Sequence, residues 1–231
     1  MLLAIDKPTW ITSYDVIRRL KRAFPKQKIG HSWTLDPLAT GLLILGIGKW
    51  TKLLSQIQWL DKQYETTIDF SQMSDTRDID YRDFYEQYPF TKEGITKNNL
   101  FITHPGQVSI EEKLSSLIPE KELPLTPFSA KKIDGKKMYE LARNGQILTE
   151  KRIMKTFEYK VLSYDFPLLK LYLHVGSGTY VRSIWYWLGQ EFWLGWILTE
   201  LRRTAIGKYD LNKMKLEKIW DEGLMWCEIS I

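Results

Sequence analysis

Apolar positions change period several times along the chain, and each change predicts an element. Met1-Leu2-Leu3-Ala4-Ile5 is a short apolar run closed by Asp6-Lys7-Pro8 and predicts an opening strand. Thr12-Ser13 can cap a helix in which Val16, Ile17, Leu20 and Phe24 recur at helical spacing. Arg18, Arg19, Lys21 and Arg22 fall mostly on its other side, and Pro25 ends it. Leu42 to Leu54 predicts a buried strand or a short helix. Tyr64, Thr66, Ile68 and Phe70 alternate with Glu65, Thr67 and Asp69, the period of a half-buried strand. Ser109 to Leu117 predicts a short helix facing inward through Ile110, Leu114 and Leu117, and Pro119 to Pro127 an extended connector. A turn at Asp134-Gly135 precedes a helix over Met138 to Arg143 that stops near Gly145. Phe157 to Tyr164 and Lys170 to Val175 read as strands, Thr179 to Phe192 as a helix, and Leu198 to Arg203 as a compact element ending in paired arginines. Ser71 to Pro105 is polar and rich in tyrosine with little periodicity, which predicts an exposed loop or insertion.

With 231 residues, 44% of them apolar and 13% aromatic, the chain can bury a substantial core. A single domain over residues 1–231, with the insertion at about 71–105, is expected. No uncharged apolar run approaches the roughly 18 to 20 residues a membrane helix needs. The longest, Leu35 to Ile47, is broken by Pro37, Gly41 and Gly46. Without a signal-peptide pattern at the start, a cytoplasmic protein is expected, with no membrane contact. One cysteine, Cys227, excludes an internal disulfide, and His31, His104 and His174 are too scattered for a zinc site, so neither metal nor cofactor is expected.

The net charge of +5 is moderate, but its distribution is uneven. Arg18, Arg19, Lys21, Arg22, Lys26 and Lys28 crowd together, as do Lys131, Lys132, Lys136 and Lys137, whereas Asp75, Asp78, Asp80, Asp83 and Glu86 collect elsewhere. Such separation fits a phosphate-tracking face, although a charge run is also what a solvated surface looks like. The stretch Gly30-His31-Ser32-Trp33-Thr34-Leu35-Asp36-Pro37-Leu38-Ala39-Thr40-Gly41 confines one carboxylate between glycines and a proline, ahead of the apolar run Leu42-Leu43-Ile44-Leu45. Asp36 is either the cap of a turn or a reactive group held still by Pro37 and the buried element behind it.

Several segments carry a resemblance as a set. They are Asp6-Lys7-Pro8, Gly30-His31-Ser32 with Thr34-Leu35-Asp36-Pro37-Leu38-Ala39-Thr40-Gly41, Gly48-Lys49 with Thr51-Lys52, Asp61-Lys62-Gln63-Tyr64, Phe128-Ser129-Ala130-Lys131 with Gly135-Lys136, Tyr139-Glu140-Leu141-Ala142-Arg143, Gly178-Thr179-Tyr180-Val181-Arg182-Ser183, and Leu198-Thr199 with Leu201-Arg202-Arg203-Thr204. In order and approximate spacing they resemble the TruB family of tRNA pseudouridine synthases, over about residues 2 to 216. The resemblance implies an α+β pseudouridine synthase fold on a mixed, largely antiparallel sheet flanked by helices and loops. It implies isomerisation of uridine in the T-arm of tRNA, with base flipping and no cofactor. Asp36 matches the nucleophile, Tyr64 the aromatic that stacks on the target ring, and Arg182 the arginine that pairs with the aspartate and keeps it ionised. His31 matches the histidine associated with the flipped-out base. Lys7 and Thr34 lie in matched motifs as substrate-side residues, Lys7 supporting the floor of the site, while Lys131, Arg143, Arg202 and Arg203 would contact RNA phosphates or orient core loops.

The sequence departs from the family pattern twice. Bacterial members usually continue into a PUA-type RNA-binding domain, for which the residues after Leu216 leave no room, so RNA affinity is expected to rest on the basic helix and loops. The chain also holds ten tryptophans, and Trp10, Trp33 and Trp50 stand where relatives have glycine or another small residue, with Trp185, Trp193 and Trp196 in the same kind of place. An indole at a tight turn is hard to house, Trp33 especially. Either some of these codons are UGA read as glycine, Trp10, Trp33 and Trp193 foremost, or the enzyme is divergent and uses indoles to stack on bases. Three functions stay open: a monomeric tRNA pseudouridine synthase needing no protein partner, a guide-RNA-dependent synthase, and a non-catalytic RNA-binding or tRNA-folding protein.

Overall fold

The computed structural model describes residues 1–73, 86–87, 90–91, 94–97, 100–102, 104–126, 132–133, 135–144, 146, 150–219 and 224–230. In chain order, strand β1 (Leu2–Lys7) leads to helix α1 (Ser13–Ala23), then β2 (Ile29–His31) and β3 (Thr40–Ile47). A 3-10 stretch over Gly48–Leu53 enters the short helix α2 (Leu54–Gln58) and strand β4 (Lys62–Asp69). Next come β5 (Gln72–Met73), β6 (Glu86–Gln87), β7 (Phe90–Thr91), β8 (Gly94–Lys97), β9 (Leu100–Ile102), α3 (Gln107–Ser115) and β10 (Glu120–Pro124). They are followed by β11 (Lys132–Ile133), β12 (Lys136–Lys137), α4 (Met138–Arg143), β13 (Lys151–Asp165), β14 (Leu168–Val175) and α5 (Val181–Phe192). The chain finishes through β15 (Ile197–Ile206), β16 (Tyr209–Asp210), β17 (Glu217–Ile219) and β18 (Leu224–Ile229).

Two compact units share these elements, one made of Met1–Glu65, His174–Ser177 and Glu200–Ile231, the other of Thr66–Leu173 and Gly178–Thr199. In the first, the sheet order is β4, β15, β3, β1, β18, β17, with β2 also on β3 and β16 on β15. β1 pairs antiparallel with β3 and with β18, which puts Ala4 between Ile44 and Cys227, whereas β3 and β15 run parallel. The inner residues of these strands are apolar and fully buried, among them Leu3, Ile5, Leu43 and Leu45. α1 covers the sheet as its pattern requires: Val16, Ile17 and Leu20 are buried, Arg18, Lys21 and Arg22 face outward, and Thr12 with Asp15 forms a reciprocal capping box. In the second unit the order is β10, β13, β14, β4, β15, with Ile110 and Leu114 of α3 and Ile184 and Leu188 of α5 buried. The architecture is the expected mixed, largely antiparallel α+β sheet flanked by helices.

Four expectations need correction. Leu198 to Arg203 is the middle of a ten-residue strand, not a compact element, because β15 is held by partners far away in sequence. Pro119 to Pro127 contains a strand, β10, which pairs with β13 from Glu120↔Lys155 to Pro124↔Lys151. The Ser71 to Pro105 insertion holds short antiparallel pairs, β5 with β6, β7 with β8, and β8 with β9. Trp33 is housed, as described below. The readings that fall on Asp75, Asp78, Asp80, Asp83, Lys131, Asp134 and Gly145 lie outside the described residues.

Candidate active site

The first unit presents Asp36 on a loop whose main chain is bonded on both sides of it. Before it, the buried Ser13 hydroxyl accepts from Leu35 N–H at 2.9 Å and lies 3.2 Å from the Leu35 carbonyl, to which it donates. After it, the Pro37 carbonyl accepts from the Trp10 N–H at 2.7 Å and from Lys7 Nζ at 3.2 Å, and the Leu38 carbonyl accepts from the Thr9 hydroxyl at 2.9 Å. The Ala39 N–H closes the turn on the Asp36 carbonyl at 3.0 Å. Leu35, Leu38 and Ala39 are buried, while Asp36 itself is half-buried and reaches the edge of this bed. Residues 7 to 13 thus serve as a platform for the loop and hold the main chain on both sides of Asp36.

Lys7 is fully buried, with its ammonium also bonded to the carbonyls of Pro8 and Ile11 at 2.9 and 2.7 Å. Burial pushes it down to about 8, opposed by the Asp36 carboxylate and reinforced by the Arg203 guanidinium. Lys62 is also buried and depressed to about 8, by burial first and by Arg203 next. Its ammonium donates to the Gln58 and Leu60 carbonyls and the Ser177 hydroxyl and stands 5.3 Å from the centre of the Trp33 ring. That contact houses the Trp33 indole with the backbone outside the left-handed region. Tyr64 is buried on the same face of β4 as Lys62 by strand alternation.

His31 ends β2 opposite Leu45, its Nδ1 buried without a hydrogen-bond partner. Burial, then Arg203, holds the imidazole below its ordinary value. Thr34 is exposed beside the loop. Arg202 grips Asp6 with both terminal nitrogens, at 2.9 and 2.7 Å. Of the two roles expected for Arg203, phosphate contact or orientation of core loops, its position suits the second: it is fully buried, its Nε donating to the Leu42 carbonyl at 2.7 Å. Lys7, expected on the substrate side, is equally enclosed and acts on the loop from below. Arg182 belongs to the second unit, buried, with Nη1 3.4 Å from the Thr126 hydroxyl.

Asp36, His31, Lys7, Tyr64, Thr34, Arg202 and Arg203 therefore share one unit, while Arg182 stands in the other. Sequence reasoning missed the Ser13 bonds and the Lys62 anchor. Ser13 was readable only as part of a cap, a role that Thr12 fills alone. A carboxylate on a held main chain beside buried cations is an arrangement that can attack or stabilise an electrophilic carbon.

The family model described as TruB family pseudouridylate synthase, N-terminal domain, matches residues 21–181. A tRNA pseudouridine synthase B from Ureaplasma urealyticum serovar 10 is 36% identical over 225 residues, covering 95% of this chain and 92% of that protein. One from Opitutus terrae is 35% identical over 211 residues, covering 91% and 82% respectively. Among solved structures, a chain of a Cbf5-Nop10-Gar1 complex aligns with a TM-score of 0.65 at 20% identity, over 90% of this chain and 49% of that one, which bears on the fold alone.

Proposed function

The chain belongs to the TruB family of pseudouridylate synthases, and from that premise we propose that it isomerises uridine to pseudouridine in the T-arm of tRNA, with Asp36 as nucleophile. The observation that carries the assignment is the bonding of the main chain at both Leu35 and Pro37, which holds the backbone from which the one carboxylate between them projects.

The reaction breaks the glycosidic bond from ribose C1′ to uracil N1, turns the base, and joins C1′ to C5. N1 gains a proton and C5 loses one, so no atom is exchanged and no redox partner is needed. The Asp36 carboxylate stabilises or captures the electron-poor C1′ while the bond is open. Uracil must first leave the stacked arm, at a cost of a few kcal/mol. His31 is neutral when buried and can occupy the space the base leaves. Tyr64 offers a ring to the extruded base and an oxygen for the C5 proton, and Arg182 is assigned a catalytic role by its match to the family's arginine. The outward-facing Arg18, Lys21 and Arg22 of α1 offer charge to tRNA phosphates. The enzyme acts on free tRNA, as a single chain without guide RNA.

Incubating unmodified tRNA with the protein alone and mapping pseudouridine tests the proposal. Product at the T-loop uridine is expected, and Asp36→Asn should lower the rate by about a thousandfold or more while leaving tRNA binding in place. Turnover in Asp36→Asn would remove Asp36 as nucleophile, and binding without product in the unaltered protein would favour an RNA-binding role.

A further inference from the structure

Arg203 is fully buried, yet only two of its three guanidinium nitrogens are bonded. Nε donates to the Leu42 carbonyl at 2.7 Å and Nη2 to the Trp33 carbonyl at 3.3 Å, while Nη1 has no partner. Its main chain stands in parallel register with Gly41, so close that a Cβ at that glycine would lie 2.2 Å from the Arg203 oxygen. One residue therefore touches the Asp36 loop where the chain enters it, at Trp33, and where it leaves, at Gly41 and Leu42.

We infer that Arg203 is a positioning residue of the reaction, its guanidinium fixing the span from Trp33 to Leu42 and thereby the place of Asp36. The inference rests on Asp36 being the nucleophile.

A methionine or leucine could fill the same volume without desolvating a charge, and the unpaired N–H adds to the cost of keeping arginine there. What the planar fork supplies is two donors on separate nitrogens held rigidly apart, Nε at the Leu42 carbonyl and Nη2 at the Trp33 carbonyl, whereas the donors of a lysine all radiate from one nitrogen on a flexible stem. The retained cost marks the two bonds as the reason for the residue. The charge has a second effect. It acts with burial to push His31, Lys7 and Lys62 toward their neutral forms, against Asp36 and Asp15 at Lys7 and Asp61 at Lys62. The His31 titration is therefore a reporter of whether the guanidinium charge is in place.

Arg203→Met and Arg203→Lys, compared with Asp36→Asn, test this on unmodified tRNA with kcat and KM measured separately and His31 followed by proton NMR against pH. Arg203→Met is expected to lower kcat by about 10- to 100-fold with KM within about threefold, and to raise the His31 pKa. Arg203→Lys is expected to return His31 toward its original titration while kcat stays low, since donors on one nitrogen do not hold the two carbonyls at the spacing the rigid fork sets. If Arg203→Met does not fold, the kcat of Arg203→Lys decides alone: a loss supports the positioning role and full activity overturns it. A loss confined to KM also overturns it. Inactive Asp36→Asn beside fully active Arg203 variants would sink this inference only, whereas active Asp36→Asn would sink the reading on which it rests.

Discussion

Trp10 donates its backbone N–H to the Pro37 carbonyl at 2.7 Å from a left-handed backbone, φ 63°. The residue that follows Asp36 is thus held by a tryptophan in a conformation that favours glycine. Trp193, which ends α5 at φ 59°, is the other non-glycine residue with positive φ among the described residues. Both indoles are exposed, at 46% and 64%. Trp10→Gly and Trp193→Gly are each expected to stabilise the protein by about 1 kcal/mol, the left-handed cost less the entropy glycine loses on folding. The check is a higher urea midpoint with an unchanged slope.

Trp185 behaves in the opposite way. It is fully buried, with its Nε1 donating to the Thr66 hydroxyl at 2.9 Å. Trp185→Gly should cost about 4 kcal/mol or more and be seen as a collapse of the urea midpoint. Tandem mass spectra of the protein from its source test whether UGA is read as glycine, which requires glycine at positions 10 and 193. Tryptophan at both overturns it.

Lys7→Met removes the donor from the carbonyls of Pro8, Ile11 and Pro37 at once and is expected to cost about 2 to 4 kcal/mol near neutral pH. The difference depends on pH. In the native protein Lys7 titrates at about 8 and in the unfolded chain near 10.5, so between these values the unfolded state holds the extra proton and stability rises with pH. Relative to Lys7→Met, the unaltered protein should gain at most about 1.4 kcal/mol per pH unit across that window, measured by urea unfolding at a series of pH values.

His31 works on the acid side. Its native value lies below 6.5, so on acidification the unfolded chain takes up the proton first. The stability contributed by the neutral imidazole is present above pH 6.5 and falls as pH drops below it. His31→Gln should flatten that acid limb in unfolding curves between pH 7.5 and 5, and an unchanged limb would exclude His31 as its source.

Local chemistry explains which parts of the molecule could be read in advance. The capping box and apolar face of α1, the alternation along β4 and the turn around Asp36 depend on residues close in sequence, where period and turn chemistry act directly. β10 was hidden because a proline-bearing stretch becomes a strand only through its partner β13. β15 was hidden because its neighbours are β3 and β4. The same limit applied to the site. Asp36 and His31 stood out by motif, but the Ser13 bonds to Leu35, the Lys62 anchor beneath Trp33 and the burial of Arg203 are relationships between distant segments, which no spacing encodes.

The bonds from Arg203 to Leu42 and Trp33 span 161 and 170 residues of chain. Contacts of such separation close late, since their loop entropy is paid only after local structure is in place. Asp36 leaves the ribosome well before Arg203, the residue that bonds both ends of its loop. A nascent chain that has not yet exposed β15 therefore carries the Asp36 loop without the bonds that Arg203 makes to Trp33 and Leu42.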